Sequence, residues 1–242
     1  MGQNFVTMKK ISLIISFVVL FAIGGNAQSS DFRIGLKLGP SFDWASPGSE
    51  QTTNNGTRLG FKTGLVFDYY FADHFAVSSG VNVNFLRMKY TFTDRRWVED
   101  FLEETNVQVS RQLNATNFEI PVKLKTKFDV ADAFAIYAEA GAGLSYNSKD
   151  LCLDNCKFDF YWAPGEKETD ETYIDYTNQY RPLQLSMIVG LGVEYEINAD
   201  WSAFAQLTFD HSFSNAFVSA LQKKTGSILR NNFIGIEIGI MY

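Results

Sequence analysis

The side chains of this sequence that could do chemistry are concentrated in one short segment, residues 210–217 (DHSFSNAF). A histidine beside hydroxyl groups can act as a general base that activates a serine or a water molecule. Such a base works best when a carboxylate orients its second ring nitrogen. Glu237 is the acid that a neighbouring strand would supply. The faces on which His211 and Glu237 lie therefore decide whether the segment can be catalytic.

Cys152 and Cys156, in LCLDNC, are the two cysteines of the chain. A structural zinc site normally uses four ligands, and no histidine lies near this pair in the sequence. In an oxidising compartment the pair predicts a local disulfide. We therefore expect no metal site and no cofactor.

The N-terminus indicates the compartment. Lys9 and Lys10 precede an apolar run over residues 11–23, and a small-residue segment ends at Ala27. This pattern is typical of a secretory signal peptide, and the run is too short to span a bilayer. We predict a signal peptide over residues 1–27 and a mature chain over 28–242. The net charge of −6, without a basic cluster, argues against a nucleic-acid partner.

The segments that must position these side chains show an alternation of apolar and polar residues, with a period of two. From Phe32 to Leu38 every second residue is apolar, and the residues between are charged or glycine. This alternation is typical of a strand with one apolar side. The phase slips near Phe85, which predicts a β-bulge or the end of a strand, and Pro121 predicts a second local bulge. Eight strands are predicted, over residues 32–43, 58–71, 75–85, 117–128, 134–147, 182–197, 201–213 and 231–242.

The connections between the strands alternate in length. Tight turns are predicted at 72–74, 130–132 and 198–200, and long loops at about 44–56, 91–116, 148–180 and 214–229. Strands of ten or more residues, with short turns on one side and long loops on the other, are typical of outer-membrane barrels. We predict an all-β fold, an eight-stranded antiparallel up-and-down transmembrane β-barrel with four extracellular loops.

The composition of the two strand faces indicates which face meets lipid. The polar face is rich in glycine, for example Gly60, Gly141, Gly190 and Gly235. Glycine weakens a strand that merely faces water. The interior of an eight-stranded barrel is barely wide enough for side chains, so glycine there makes room for charged groups. Aromatic residues also gather near both strand ends, as in membrane girdles. We infer that the apolar face meets lipid, whereas a secreted soluble barrel would bury it.

The chain resembles the PorT-like outer-membrane barrel family of the Bacteroidetes, close to the small barrels of OmpX type. The segments FRIGLKLGPSF, RLGFKTGLVFDYYF, NFEIPVKLKTKF, FAIYAEAGAG and MIVGLGVEYEI carry the resemblance. The terminal aromatic Tyr242 resembles the signal that the barrel-assembly machinery reads. The resemblance implies an outer-membrane location and, for the namesake of the family, service to type IX secretion and gliding. It implies no particular activity for this chain.

The polar face carries charges of both signs, which we predict to form an ion-paired network that fills the lumen, because buried charges must pair. A small-solute channel is the alternative. The network residues are Arg33, Lys37, Lys62, Glu119, Lys123, Lys125, Glu139, Glu194, Asp210 and Glu237.

His211 falls on the outward face with Phe209, whereas Glu237 falls on the inward face. The DHSFSNAF segment faintly resembles the His-x-Ser-Asn element of outer-membrane lipid A deacylases, with a spacing one residue too long. We predict an interfacial histidine and no enzyme, and a deacylase-like barrel enzyme is the alternative.

The long loops hold aromatic residues beside acids. Candidates for binding a partner are Phe158, Phe160, Trp162, Tyr173 and Tyr176. Loops that only pack on each other are the alternative. In the second loop the apolar spacing of residues 97–104 (WVEDFLEE) predicts a short helix.

These patterns predict a non-enzymatic outer-membrane protein that acts as a structural, binding or assembly component through its extracellular loops. An accessory of the type IX secretion and gliding machinery is an alternative. The expected partners are outer-membrane lipid and lipopolysaccharide, the barrel-assembly machinery and a protein bound at the loops.

Overall fold

The computed structural model describes residues 32–50, 52–98, 103–147, 158–163, 166–170, 180–217, 223, 226 and 228–242. The predicted signal peptide lies outside these residues. Within them the strands are β1 (Phe32–Pro47), β2 (Thr52–Asn54), β3 (Arg58–Ala72), β4 (Phe75–Val98), β5 (Glu103–Ala131), β6 (Phe134–Asn147), β7 (Phe158–Ala163), β8 (Glu166–Asp170), β9 (Leu183–Glu196), β10 (Ser202–Ser212) and β11 (Leu229–Met241).

Eight of these strands close into a barrel. Their order around it is β4-β3-β1-β11-β10-β9-β6-β5, and β4 pairs with β5 to complete the circle. Every neighbouring pair is antiparallel. β2 adds to the upper part of β4, and β7 and β8 form a separate hairpin. The prediction of an eight-stranded antiparallel barrel is confirmed. In the described part of the chain, no helix has the length and hydropathy needed to cross a membrane.

The strands are built by the alternation of residue types. In β6 the side chains of Ile136 and Leu144 are exposed on the outside, whereas those of Tyr137 and Glu139 are buried inside. The tight connections all lie at one end of the barrel. In the turn between β9 and β10, Asn198 Oδ1 accepts hydrogen bonds from the backbone N–H groups of Asp200 and Trp201, both at 2.9 Å. This end is the periplasmic end by the rule that outer-membrane barrels keep their short turns there.

The phase slip at Phe85 is not a β-bulge, so that prediction was wrong. β4 continues to Val98, and its register with β5 runs from Phe75↔Thr126 to Val98↔Glu103 without a shift. The inward residues of β4 change in type instead. They are polar up to Asn84 and apolar from Leu86 onward, whereas the outward residues are apolar up to Phe85 and become charged at Arg87. We infer that Phe85 marks the level at which the barrel wall leaves the hydrocarbon part of the bilayer, because the apolar face then turns inward.

Two further local predictions need correction. Pro121 causes no bulge, because its pairing with Gly143 lies in a stretch of the β5–β6 ladder, from Asn117↔Asn147 to Asp129↔Ala135, that keeps one register. On the other side of β5, Ser79 Oγ donates to the Pro121 carbonyl oxygen at 2.8 Å. The prediction of a short helix over residues 97–104 is also wrong at both ends of that segment, because Trp97 pairs with Glu104 in the β4–β5 ladder. Strand pairing over the length of the hairpin outweighs a local helical spacing of three apolar residues.

A cluster of buried apolar side chains, here called the apolar cap, closes the extracellular end of the barrel. Phe217, which follows β10, lies at its centre, with ring centroids 5.8 Å from Tyr90 and 5.7 Å from Phe92. Asn215 Oδ1 holds this segment by accepting from the backbone N–H groups of Phe217 (3.2 Å) and Leu229 (3.0 Å). The members of the cap are Ala45, Met88, Tyr90, Phe92, Leu113, Ala216, Phe217 and Leu229.

Candidate functional site

The lumen below the apolar cap is filled with paired charges. At the periplasmic end, the buried carboxylate of Glu194 forms an ion pair with Arg33 and lies 3.2 Å from Lys127 Nζ and 3.6 Å from Lys125 Nζ. Arg33 also donates to Ser202 Oγ at 2.5 Å. One acid on β9 thus joins cations from β1 and β5 across the barrel, and the residues that the alternation placed inside meet there.

The middle of the lumen is organised around Glu237 of β11. Its carboxylate lies 2.6 Å from Lys37 Nζ and 4.0 Å from Lys62 Nζ. It also accepts hydrogen bonds from Gln206 Nε2 at 2.9 Å and Thr208 Oγ at 2.8 Å. Four partners therefore surround a carboxylate that is 0% exposed, which is the arrangement that a buried charge requires.

Two more buried ion pairs cross the lumen. Lys123 Nζ lies 2.5 Å from Glu139 Oε1, and Lys125 Nζ lies 2.6 Å from Asp68 Oδ2. Lys125 also lies 4.3 Å from the centroid of the Tyr137 ring, a cation–π distance. The lumen is thus crossed by side chains of opposite sign at several heights.

The upper lumen holds more acids than cations among the described residues. Glu119 is paired with Lys62 at 3.1 Å and accepts from Asn82 at 2.6 Å. Asp210 accepts from Ser186 Oγ at 3.2 Å. Asp43 reaches across the lower edge of the apolar cap and accepts from the backbone N–H of Arg87 at 2.8 Å.

All ten residues predicted for the lumen network lie on the inner wall, although Asp210 has a hydroxyl and not a cation as its hydrogen-bond partner. The prediction omitted Asp68 and Lys127, which the same alternation places inside, and the neutral bridge in which Tyr137 donates to Gln206 Oε1 at 2.9 Å. Within the described residues, no group of three or more His, Cys, Asp or Glu side chains is placed to hold a metal ion.

His211 lies on the outer wall, in the extracellular aromatic girdle. Its Nδ1 is 2.8 Å from the side-chain amide of Asn232 on the paired strand β11. One orientation of that amide satisfies both of its neighbours, because it donates to His211 Nδ1 and accepts from Trp44 Nε1 at 3.3 Å. The adjacent Ser212 faces inward and donates to the Ser214 carbonyl oxygen at 3.2 Å. Among the described residues, histidine, serine and carboxylate are therefore not assembled into a catalytic group.

The remaining candidate residues belong to the third loop and to the C-terminus of the chain. Phe158, Phe160 and Trp162 belong to β7, which pairs with β8 as a hairpin. Tyr242 forms a pair of backbone hydrogen bonds with Ile34 (2.7 and 2.8 Å), and its ring centroid lies 5.0 Å from that of Trp201. Four candidates lie outside the described residues, namely Cys152, Cys156, Tyr173 and Tyr176.

A closed barrel of eight antiparallel strands with an apolar outer wall and a polar interior defines an outer-membrane barrel. Comparison with protein families agrees, because residues 26–220 match the model of the outer membrane protein beta-barrel domain. The chain belongs to this family and is located in the outer membrane.

Solved structures of outer-membrane proteins resemble the chain in fold. The outer membrane protease OmpT from Escherichia coli matches with a TM-score of 0.53 and 9% identity, covering 89% of this chain and 97% of that one. Neisserial surface protein A (NspA) matches with a TM-score of 0.42 and 13% identity, covering 87% and 95%. The outer membrane protein OprG from Pseudomonas aeruginosa matches with a TM-score of 0.39 and 11% identity, covering 88% and 96%. A search of curated proteins found no match.

Proposed function

We propose that this protein is a closed, non-enzymatic outer-membrane barrel that works by binding a partner at the cell surface through its extracellular hairpins. The observation that carries the proposal is the unbroken β4–β5 ladder, which leaves the lipid at Phe85 and continues to Val98↔Glu103. A wall of fixed shape outside the membrane is a suitable binding surface, because little conformational entropy is lost when a partner docks.

Transport fits the same structure less well. The lumen is crossed by ion pairs such as Lys37–Glu237 and Lys123–Glu139, whose side chains are buried. Above them the apolar cap lies over the extracellular mouth. A solute would have to displace both layers, and separating a buried ion pair is costly.

Catalysis also fits poorly. His211 bonds to an amide on the outer wall, whereas Glu237 and Ser212 lie on the inner wall. A base that activates a hydroxyl needs that hydroxyl within hydrogen-bond reach. For this reason we prefer the binding role to that of a deacylase-like enzyme.

The chemistry of the partner follows from the loop sequences. The third loop combines Phe158, Phe160, Trp162, Tyr173 and Tyr176 with many acids, and aromatic residues contribute strongly to binding hot spots. A disulfide between Cys152 and Cys156 would restrict this loop. We propose a basic protein surface as the partner. Membership of a PorT-like group that assists type IX secretion would be one setting for such a partner, and export would use the signal peptide over residues 1–27.

The strand register permits a clean test. Thr93 and Gln108 are paired, so replacing residues 94–107 with Asn-Gly closes the β4–β5 hairpin with a two-residue turn and leaves the apolar cap in place. A second variant replaces residues 158–176 with a Gly-Ser turn. Both variants should remain in the outer membrane and migrate faster on gels unheated than boiled. At least one of them should lose a partner that crosslinks to the parent protein on intact cells.

The matched control is Lys223→Gln, which changes an exposed residue outside both hairpins and should keep every crosslink. If the parent crosslinks to no protein, or both trimmed barrels keep all partners, the binding proposal is refuted. Recovery of the mature protein as a soluble monomer without detergent would contradict the membrane location itself.

A further inference from the structure

The outer wall of the barrel changes in charge immediately above the lipid-facing residues. On β4, Arg87 is exposed and Lys89 is half-buried, and both alternate with the buried residues Leu86, Met88 and Tyr90. They therefore point outward, beginning two residues above Phe85. On β11, Arg230 is half-buried between the buried residues Leu229 and Asn231, so it points outward as well.

These cations lie on one continuous part of the wall. The strands β4, β3, β1 and β11 are consecutive neighbours in the barrel. On the other half of the barrel, the outward residues near the extracellular ends of the strands are uncharged, for example the paired residues Tyr146 of β6 and Leu183 of β9. The positive charge is therefore local and not a uniform ring.

The outer wall at Arg87, Lys89 and Arg230 differs in the sign of its charge from the periplasmic rim. The periplasmic rim carries exposed acids in its turns and strand ends: Asp73, Asp129, Asp132, Glu196 and Asp200. In contrast, among the acids whose side chains the structure describes, none forms an ion pair with Arg87, Lys89 or Arg230. An anion in the plane of the membrane would thus be attracted at the extracellular boundary and repelled at the periplasmic one.

We propose that Arg87, Lys89 and Arg230 form a binding surface for phosphorylated lipid headgroups of the outer leaflet. Their height is that of headgroups, because they begin where the lipid-facing residues end. Their charge suits phosphate, which arginine binds through paired N–H donors. Trp44 and His211 adjoin the surface and are bridged by Asn232, which supplies the aromatic and hydrogen-bonding groups of a membrane interface. The surface is independent of the hairpin function proposed above.

Trp44 allows a direct measurement, because it lies on β1 between the cations of β4 and β11. A protein with Trp44 as the sole tryptophan is made by changing Trp97, Trp162 and Trp201 to Phe. It is reconstituted in phosphatidylcholine vesicles that contain either dibrominated phosphatidylcholine or dibrominated phosphatidylglycerol, and the quenching of fluorescence is compared. The quenching gives the association constant of the anionic lipid relative to phosphatidylcholine at Trp44. We expect this ratio to be about five or more, which is the effect that one cation near an anionic surface would produce. This preference should weaken as salt is added.

The triple variant R87Q/K89Q/R230Q should lose the preference while keeping heat-modifiable migration, and K223Q should keep it. If the triple variant does not fold, the single variants R87Q and R230Q should each reduce the preference. Equal quenching by the two lipids in the parent overturns the proposal, as does an equal loss in K223Q. Competition by inorganic phosphate that removes the preference would instead identify free phosphate as the ligand and overturn the lipid assignment.

Discussion

Changing Glu237 to Gln isolates one charge in the filled lumen. The Glu237 carboxylate is 2.6 Å from Lys37 Nζ and 4.0 Å from Lys62 Nζ. Lys62 keeps Glu119 at 3.1 Å in the variant. Lys37 is therefore the cation that loses its partner, and its side chain is only 3% exposed. The glutamine can still bond to Gln206 and Thr208, so the change tests the ion pair and little else.

The expected cost follows from the burial of both partners. Removing one member of a buried ion pair costs about 3–5 kcal/mol, because the other charge is left without compensation. At about 1.36 kcal/mol for each tenfold change, the folding equilibrium constant should fall by roughly two to four orders of magnitude. The measurement is the free energy of unfolding, from urea titration of the barrel in lipid vesicles.

Two comparisons make the result decisive. Glu50→Gln, at an exposed position, should change the free energy of unfolding by no more than about 0.5 kcal/mol. The double variant K37M/E237Q should be more stable than E237Q alone, because it removes both charges of the pair. A cost for E237Q of less than about 1 kcal/mol, or a double variant no better than the single one, would refute the idea that the lumen is held by buried ion pairs.

Three further predictions address the lumen, the wall and the girdle. Reconstituted in planar bilayers, the protein should show little steady current, because ion pairs and the apolar cap fill the path; a reproducible large conductance would contradict this. Gly60→Ala should destabilise the barrel by about 1–3 kcal/mol in urea titrations, because the added Cβ would lie 2.7 Å from the Phe85 carbonyl oxygen and displace the Asp43 carboxylate; an unchanged midpoint would show that the wall relaxes freely. His211→Ala should leave the acylation of lipid A unchanged in cells that express the protein, as mass spectrometry of extracted lipid would show; loss of a deacylated species would establish an enzyme.

Much of the barrel could be predicted from local sequence. Alternation over residues such as Phe134 to Tyr146 fixes both the strand and its two faces, because successive side chains of a strand point to opposite sides. The same rule placed Lys37 and Glu237 inside. It could not say that they are paired, because pairing depends on the register between β1 and β11, which are far apart in sequence.

The extracellular part was predicted less well. A period-two pattern gives the faces of a strand but not the medium that each face meets. From sequence alone, the exchange of polar and apolar faces at Phe85 therefore predicts a structural break that the strand does not have. The signal was present, because Leu86, Met88 and Tyr90 continue the parity of Asn82 and Asn84. The apolar cap was missed for another reason: its central residue, Phe217, reaches Tyr90 only through folding.

The unbroken β4–β5 ladder also has a mechanical consequence. A partner that pulls outward on the hairpin applies force mainly along the strands, whereas the hydrogen bonds to β3 and β6 run perpendicular to them. The load is therefore a shear that many bonds resist at once, and the ladder contains no register shift between Phe75 and Val98 at which it could yield first. The hairpin therefore resists extension, so a force applied to it at the cell surface is transmitted to the barrel wall and from there to the surrounding bilayer.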